Sequence, residues 1–318
     1  MYKNLKVFVV IPAYNEEKLI GPTLRGVPDF IDNIIVIDDA STDATSDIVK
    51  SFPDRRIELI RHEKNKGCGG AIITGYKKSA KDGADVVVVI GGDNQFPQDE
   101  MRNFVDPFVN AEGGESMLYV KGNRFITSSL KDMPRIRLFG NSILTFLTKF
   151  SSGYWKIFDS NDGYTAISRK VIETIDWGGA WNGYGYNGDF LTRMNVHDVK
   201  VMDIPRTAIY LAGERQSRIK IGRYILRTIP LLIKDFFYRM WVKYILRDFN
   251  PMVLFYLLSF LLLPLGLFLG LWITWQRFLN DYISFNWIML CALFLITGFQ
   301  SLFFGIWLDM EANKNLQP

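Results

Sequence analysis

The sequence predicts an α/β domain with a mostly parallel, doubly wound sheet, followed by amphipathic helices and two transmembrane helices. In the first half of the chain, apolar runs rich in β-branched residues alternate with helical patterns, as in a parallel sheet. Residues 219–247 mix aliphatic and aromatic residues with regularly spaced Arg and Lys. Residues 251–274 and 285–308 contain no charged residue, and each is long enough to cross a bilayer.

The predicted strands are short apolar segments that end in polar or glycine-rich loops. They are residues 6–11, 34–37 and 57–61 and the run VVVVI that begins at Val86. Helices are predicted from the turn after Pro12 through about Leu24, after the loop that contains Ser41 or Thr42 as cap, and over residues 71–81. Because parallel strands end at one edge of a sheet, these loops are expected to form one site.

The segment VVVVIGGDNQFP changes abruptly from apolar to polar residues. Asp93 and Gln95 follow the predicted strand end two residues apart, and their side chains offer hard oxygen ligands. Such ligands suit Mg²⁺ or Mn²⁺ that holds a diphosphate. An Asx turn closing a surface loop explains the same residues, so both interpretations stay open at this point.

The glycine-rich turn NKGCGG precedes a predicted helix and could bind phosphate. It lacks the GxxxxGK[ST] spacing of a P-loop, and no GxGxxG follows the first strand. A P-loop NTPase and a dinucleotide-binding enzyme are therefore disfavoured.

Four motifs in their successive order resemble the family 2 glycosyltransferases of GT-A fold, a Rossmann-like fold. They are VVIPAYNEE, VIDDASTDAT, NKGCGGA and GGDNQFP. The resemblance implies that Pro12, Tyr14, Glu16 and Asp39 bind the nucleotide of a nucleotide-sugar. The chain is accordingly expected to be a hexosyltransferase.

The same resemblance implies that Asp93 and Gln95 bind the metal on the donor diphosphate. The family's loop often reads Asp-x-Asp-x-Gln, and Gly91 stands where the first Asp would be. The expected Mg²⁺ or Mn²⁺ would then be held by Asp93, Gln95 and phosphate oxygens.

Three further residues, with Asp93, make up the expected catalytic set. Arg124 in VKGNRF is a candidate for the donor diphosphate or the acceptor phosphate, with a surface arginine as the alternative. Asp159 matches a segment of the polyprenyl-phosphate branch of the family, in which Asp162 replaces Ser and Thr165 replaces Arg. Asp189 in YGYNGDFL lies where related inverting enzymes keep their base, and a plain N-cap explains it equally well.

A base is needed only for some acceptors. A phosphate monoester, with a second pKa of about 6, is already largely dianionic at neutral pH. Asp159 or Asp189 could therefore orient groups without abstracting a proton. His62 and His197 are predicted to be surface or structural residues, and neither cysteine belongs to a catalytic motif.

The segment GERQSRIK resembles the acceptor-binding stretch of dolichyl-phosphate mannosyltransferase relatives, which makes Arg215 and Arg218 candidates for the acceptor phosphate. Pro230 is predicted to divide the following segment into two amphipathic helices in the membrane interface, the alternative being a core-packing helix pair. The predicted parts are a GT-A domain over residues 1–213, amphipathic juxtamembrane helices over 214–248, and two transmembrane helices with a short tail over 249–318.

The charge distribution predicts the orientation in the membrane. Arg and Lys are dense before the first span, whereas Arg277 is the sole cation between the spans. No signal peptide is expected. The catalytic domain and both termini are therefore expected in the cytoplasm, on a multi-pass protein of the plasma membrane or an equivalent inner or ER membrane.

The expected reaction is metal-dependent, inverting transfer of a hexose from a UDP- or GDP-linked donor to a polyprenyl phosphate. The alternatives are a membrane-anchored transferase acting on a glycolipid or glycan hydroxyl, and a catalytically silent subunit that binds nucleotide-sugar. A polysaccharide synthase is disfavoured because no Gln-x-x-Arg-Trp motif is present. No nucleic acid partner is expected, and a homo-oligomer is left open.

Overall fold

The computed structural model describes residues 1–111, 113–125, 135–207, 209, 221–279 and 283–317, with the backbone alone for residues 135–139, 141 and 221–226. The chain divides into two compact units. The first consists of Met1–Phe237 and Asn315–Pro318, and the second of Tyr238–Lys314. The predicted boundaries at residues 213 and 248 separate parts of the chain by their expected function, and these boundaries stay a prediction.

A seven-stranded sheet, counted over the described residues, forms the centre of the first unit. Its strands are β1 (Val7–Ala13), β2 (Asn33–Asp38), β3 (Ile57–Arg61), β4 (Val86–Val89), β5 (Leu118–Asn123), β6 (Thr165–Ser168) and β7 (Lys200–Pro205). The helices are α1 (Ile20–Gly26), α2 (Thr45–Ser51), α3 (Cys68–Lys81), α4 (Met101–Val109), α5 (Arg135–Ser152), α6 (Arg169–Thr174), α7 (Tyr186–Val196) and α8 (Ile221–Trp241), of which α8 ends in the second unit.

The strand order is β3-β2-β1-β4-β6-β5-β7. Strand β6 runs antiparallel to β4 and β5, whereas the other neighbouring strands are parallel. The predicted, mostly parallel α/β sheet is confirmed. Since β1, β2 and β4 are parallel neighbours, the loops that follow them lie at one edge of the sheet.

The apolar runs of the central strands are buried on both faces. Phe8 and Val10 of β1 face one hydrophobic cluster, and Val7 and Val9 face the other. Helix α3 lies so close to β1 that a Cβ atom at Gly75 would be 2.3 Å from a methyl carbon of Val10. Glycine is needed there for this close approach of helix and strand.

Three predicted helix starts differ from the structure. Helix α3 begins at Cys68, before the predicted start at residue 71. Helix α1 begins at Ile20 rather than directly after the first turn, and the predicted cap of α2 by Ser41 or Thr42 is wrong. The N-cap position of α2 is Ala44. The Ser41 hydroxyl instead accepts the backbone N–H of Asn15 at 2.9 Å, because the loops after β1 and β2 bind each other.

Helix α8 continues through Pro230, so the predicted division into two helices is wrong. The exposed side of α8 carries Pro230, Ile233 and Phe237, while Leu232 and Phe236 are buried. Phe236 stacks on Phe150 of α5 at 4.7 Å between ring centroids. Packing of the buried side therefore stabilises a helix that the missing N–H of one proline would weaken.

The second unit contains α9 (Met252–Leu279) and α10 (Phe285–Ala312), which are long and apolar enough to cross a membrane. A buried bidentate ion pair joins Arg239, before α9, to Asp309 near the end of α10, with N···O distances of 2.6 and 2.8 Å. Lys243 donates to Asn313 in the same region at 3.2 Å. The helices thus form a hairpin whose two outer ends are tied together.

Candidate active site

The loops after β1, β2 and β4 each contain a non-glycine residue with a left-handed backbone. The φ angles are 56° at Asn15, 64° at Ala40 and 52° at Asn94. Asparagine adopts this conformation at little cost, whereas alanine persists in it only where its surroundings enforce it. The backbone at Ala40 therefore indicates that tertiary contacts shape this edge of the sheet.

A cavity of about 630 Å³ lies at this edge. Five residues predicted from sequence to bind the donor line it, namely Pro12, Tyr14, Glu16, Asp39 and Asp93. The other lining residues are Ala13, Asn65, Gly67, Cys68, Ala71, Gly91, Gly92, Trp181, Gly183, Tyr184 and Arg227. The structure therefore brings residues of all four sequence motifs to one cavity, as the sequence predicts.

The Asp39 carboxylate is buried and organises the glycine-rich turn. It accepts the backbone N–H groups of Lys66 and Gly67, both at 2.8 Å, and lies 2.7 Å from Nδ1 of His62. The sequence predicts either a surface or a structural position for His62. The structure shows a buried side chain in a structural position.

The turn packs against the backbone of residues 181–183. A Cβ atom at Gly69 would be 2.5 Å from the Trp181 carbonyl oxygen, and the Gly70 N–H donates to the Asn182 carbonyl at 3.2 Å. Helix α3 begins within this turn, at Cys68, and both Cys68 and the N-cap residue Gly67 lie on the cavity wall. The positive end of the helix dipole is therefore available to an anionic ligand.

The neighbouring thiol is not suited to nucleophilic chemistry. Burial raises the pKa of Cys68 to about 12, and the charges of Asp39 and Asp93 add to this effect. A thiol in this environment stays protonated at neutral pH.

Gly91, which replaces the family's first Asp, is closely packed. A Cβ atom there would be 2.8 Å from the Phe96 ring and 2.9 Å from Oδ1 of Asp93. The Gln95 N–H points to the same Asp93 oxygen at 3.4 Å, as in the Asx-turn interpretation. Asp93 lines the cavity, and Gln95 is not among the lining residues.

These residues fit a divalent metal only if the ligand supplies further oxygen atoms. Among the described residues, no group of three or more His, Cys, Asp or Glu side chains could hold a metal ion. One carboxylate with a nearby amide is a donor set that suits Mg²⁺ or Mn²⁺ bound mainly by phosphate oxygens and water. The metal role of Asp93 and Gln95 stays a prediction.

Arg124, which is partly buried, forms an ion pair with the buried Asp159, and this pair is not part of the cavity lining. The guanidinium nitrogens of Arg124 lie 2.6 and 3.0 Å from the Asp159 carboxylate and 3.1 Å from Asp162. Neither residue lines the cavity. Their predicted contacts with phosphate or with the reacting groups stay predictions.

Asp189 lies in the first turn of α7, whose N-cap is Gly185, so the N-cap interpretation is wrong. Its carboxylate accepts the backbone N–H of Trp181 and the Nε–H of Arg193, both at 2.9 Å. Burial, and then the charge of Asp189, raise the pKa of nearby Asp235 to about 8. Asp189 thus does not line the cavity itself but holds the backbone of Trp181, which does.

Several cavity residues were not found by sequence reasoning. Trp181 lies outside the segments singled out in the sequence, and Tyr184 begins the segment YGYNGDFL, in which only Asp189 was given a role. Only the fold brings these two aromatic residues to the glycine-rich turn. Arg227 of α8 is the one Lys or Arg among the described lining residues. The predicted acceptor-binding residues Arg215 and Arg218 lie outside the described residues.

The fold defines a class, the α/β domains of GT-A-like fold. Glucosyl-3-phosphoglycerate synthase from Mycobacterium tuberculosis, in complex with UDP, superimposes with a TM-score of 0.54 at 19% identity, covering 73% of this chain and 80% of that chain. The sequence profile of glycosyl transferase family 2 matches residues 8–176. The chain belongs to this family and is a glycosyltransferase.

Curated relatives act on lipid phosphates according to their names. A UDP-N-acetylglucosamine–dolichyl-phosphate N-acetylglucosaminyltransferase of Methanococcus voltae is 31% identical over 244 residues, which are 71% of this chain and 95% of the relative. An undecaprenyl-phosphate mannosyltransferase of Micrococcus luteus is 25% identical over 218 residues, or 64% of this chain and 84% of the relative. A dolichol-phosphate mannosyltransferase of Pyrococcus furiosus is 25% identical over 240 residues, which are 72% of this chain and 64% of the relative.

Proposed function

We propose that the protein transfers a hexose from a nucleotide-sugar to a polyprenyl phosphate at the cytoplasmic face of a membrane. The observation that carries the proposal is the cavity, in which residues from three donor-binding motifs meet on a chain with two membrane-spanning helices. The names of the relatives support a polyprenyl phosphate acceptor. The Methanococcus relative favours UDP-N-acetylglucosamine as the first donor to test.

In this proposal the donor diphosphate lies between Asp93 and the N-terminus of α3. A divalent metal bound there would supply Lewis-acid charge, and structures of the Mycobacterium neighbour contain Mn²⁺ or Mg²⁺ together with UDP. Asp93 and Gln95 are the residues that would hold it. The guanidinium of Arg227 supplies a second positive charge to the departing diphosphate.

The acceptor phosphate is the nucleophile. One of its oxygens forms the new bond to the anomeric carbon while the bond from that carbon to the diphosphate breaks, and the nucleoside diphosphate leaves with the electron pair. Inversion follows from displacement on the opposite face. No proton has to be removed, because the phosphate is already largely dianionic.

The candidate bases support this choice of acceptor. Asp159 is paired with Arg124 and Asp189 with Arg193, and neither carboxylate lines the cavity. A hydroxyl acceptor would need a base beside the reacting atoms. We therefore assign both carboxylates to positioning.

The hairpin supports the proposed orientation. Arg239, which precedes the first span, is bonded to Asp309 at the end of the second, so both flanks lie on the same side of a membrane that the hairpin crosses. The excess of Arg and Lys before the first span supports a cytoplasmic location for that side.

The test is sugar transfer by the detergent-purified full chain. Radiolabelled UDP- and GDP-sugars are supplied with Mn²⁺ or Mg²⁺ and a polyprenyl phosphate, and the product is extracted into organic solvent. Asp93→Asn should lower transfer at least about 100-fold, because it removes the carboxylate that would hold the metal on the departing diphosphate. Asp99→Asn, which alters an exposed carboxylate in the same loop, is the matched control and should retain activity.

A lipid-linked product from one donor, lost in Asp93→Asn alone, is the expected result. Absence of lipid product from every donor, with nucleotide binding intact, would contradict the polyprenyl phosphate acceptor. Transfer to glycolipid or glycan hydroxyls would then be measured with the same donors.

A further inference from the structure

Arg206 follows the last strand of the sheet and is only 4% exposed. Its Nε–H donates to Oδ2 of Asp162 at 2.7 Å, and its Nη1 donates to the backbone carbonyls of Thr207 at 3.0 Å and Gln95 at 3.4 Å. A buried guanidinium is costly unless its donors are satisfied. Arg206 therefore joins the end of β7 to the loop that carries Asp93.

The same guanidinium contacts the loop through an aromatic ring. Its central carbon lies 4.9 Å from the ring centroid of Phe96, and this ring packs edge-on against Tyr164 at 5.5 Å. Phe96 is also the side chain that occupies the space beside Gly91. The loop is thus held by its backbone at Gln95 and by its side chain at Phe96.

The partner carboxylate is itself firmly placed. Asp162 is fully buried, and its carboxylate accepts the backbone N–H of Tyr164 at 2.7 Å and lies 3.1 Å from Nε of Arg124. The ammonium of Lys121 in β5 donates to the Asp162 carbonyl at 2.6 Å. Arg206 consequently connects the loop to a platform built from β5, β6 and β7.

The glycine at position 91 is the reason why the contacts of Arg206 with this loop matter. The loop offers one carboxylate, at Asp93, where the family often has two, so its ligand set is weaker and depends more on being held in the binding conformation. Substitution of Gly91 by a larger residue is opposed by Phe96 and Asp93. The contacts of Arg206 with Gln95 and Phe96 hold the loop whose carboxylate lies on the cavity wall.

We propose that Arg206 is a positioning residue that fixes the loop Gly91–Pro97 for binding of the metal-diphosphate group, without contacting the substrate. Arg206 is not among the residues that line the cavity. The inference rests on the proposed function in one respect, that a metal-bound nucleoside diphosphate occupies the cavity. It predicts that a substitution of Arg206 changes the nucleotide affinity measured with metal and leaves the affinity measured without metal nearly unchanged.

The test measures the affinity of the full chain for UDP and for GDP by calorimetry, with Mn²⁺ and with EDTA. Arg206→Lys keeps the charge beside Asp162 but loses the planar fork that reaches Gln95 and stacks on Phe96. Arg206→Met removes both, and Phe96→Leu removes the ring while leaving Arg206 in place. Arg56→Met is the matched control. Arg56 likewise donates to an aspartate carboxylate, that of Asp54, and to two backbone carbonyls, those of Pro28 and Ile31.

The two Arg206 variants and Phe96→Leu should each lower the Mn²⁺ enhancement of nucleotide affinity at least ten-fold. Each should change the affinity in EDTA less than two-fold. Arg56→Met should change neither value. Full Mn²⁺ enhancement in folded Arg206→Lys and Phe96→Leu would overturn the inference, as would equal losses with Mn²⁺ and with EDTA. Wild-type protein without any Mn²⁺ enhancement would also overturn it.

The proposed function is tested separately. Wild-type protein that binds nucleotide in a Mn²⁺-dependent way but makes no lipid product would contradict the acceptor and leave the role of Arg206 intact.

Discussion

Oδ1 of Asp39 and Nδ1 of His62 lie 2.7 Å apart, and both side chains are buried. The other ring nitrogen of His62 lies 3.0 Å from the Thr74 hydroxyl, so the imidazole joins the end of β2 to α3. The same carboxylate accepts the N–H groups of Lys66 and Gly67. His62 therefore positions the carboxylate that shapes one wall of the cavity.

Replacing His62 by Ala should raise the donor KM about ten-fold and leave kcat within two-fold. The loss of a buried hydrogen-bond partner costs about 1–3 kcal/mol, and the displaced carboxylate would loosen the glycine-rich turn without touching the reacting atoms. Steady-state kinetics with varied donor is the measurement. His197→Ala, the change at the other histidine, is the control and should leave KM unchanged. A wild-type KM in folded His62→Ala would show that the turn does not need this contact.

Arg227→Gln should lower kcat/KM for transfer about 10- to 100-fold. A charge-assisted hydrogen bond to phosphate is worth about 1.5–3 kcal/mol, and Arg227 is the cation found on the described cavity wall. Lys234→Gln changes an exposed cation of the same helix and should have no effect. Weaker binding of UDP by the variant would assign Arg227 to the donor, whereas unchanged UDP binding would assign it to the acceptor. Activity equal to that of Lys234→Gln would refute both roles.

Ala40→Gly should stabilise the protein by about 1 kcal/mol. Ala40 has a φ of 64°, a conformation that costs an alanine roughly 1–2 kcal/mol and a glycine very little, and part of that gain is lost to the greater entropy of the unfolded glycine. The midpoint of thermal unfolding in detergent should rise by about 2–4 °C. Lys77→Gly, at an exposed position inside α3, should lower it by a similar amount because the interior of a helix disfavours glycine. Equal shifts in both variants would show that Ala40 is not strained.

The stability of the wild-type protein should decrease as pH rises towards 8. Burial and the charge of Asp189 raise the pKa of Asp235 from its ordinary value of 3.8 to about 8, while Arg193 and Lys234 act in the opposite direction. Between these two pH values the folded state binds a proton that the unfolded state has lost. Its stabilisation is complete below the unfolded pKa and disappears as pH rises through the folded pKa.

Asp235→Asn should remove this dependence, because an amide stays neutral at every pH. The difference in unfolding midpoint between variant and wild type should therefore grow from pH 5 to pH 9. Asp29→Asn, at an exposed carboxylate, should follow the wild type throughout. Parallel pH profiles for Asp235→Asn and wild type would contradict a protonated Asp235.

Much of the donor side of the site could be predicted from sequence. The strand ends near Ala13, Asp38 and Val89 are local features, because a buried apolar run stops where polar residues begin, and parallel strands bring those ends together. This is why Tyr14, Asp39 and Asp93 could be placed on one cavity before any contact was known. The two helices that are long and apolar enough to cross a membrane could be predicted equally well, since length and lack of charge identify them.

The remaining features depend on contacts between distant residues. Ser41 could cap a helix or bind Asn15, and only the approach of two loops selected the second. Pro230 would end an isolated helix, yet α8 continues through it because its buried side packs on α5 and α7.

The sequence by itself determined the α/β class, the family and the donor loops, because strand periodicity and turn chemistry act over a few residues. The tertiary structure decided the partners of the charged side chains, such as Arg206 with Asp162 across the sheet and Arg239 with Asp309 across the hairpin. Ion pairs of this kind join residues far apart in the chain, and no local pattern records which charges will share a buried site.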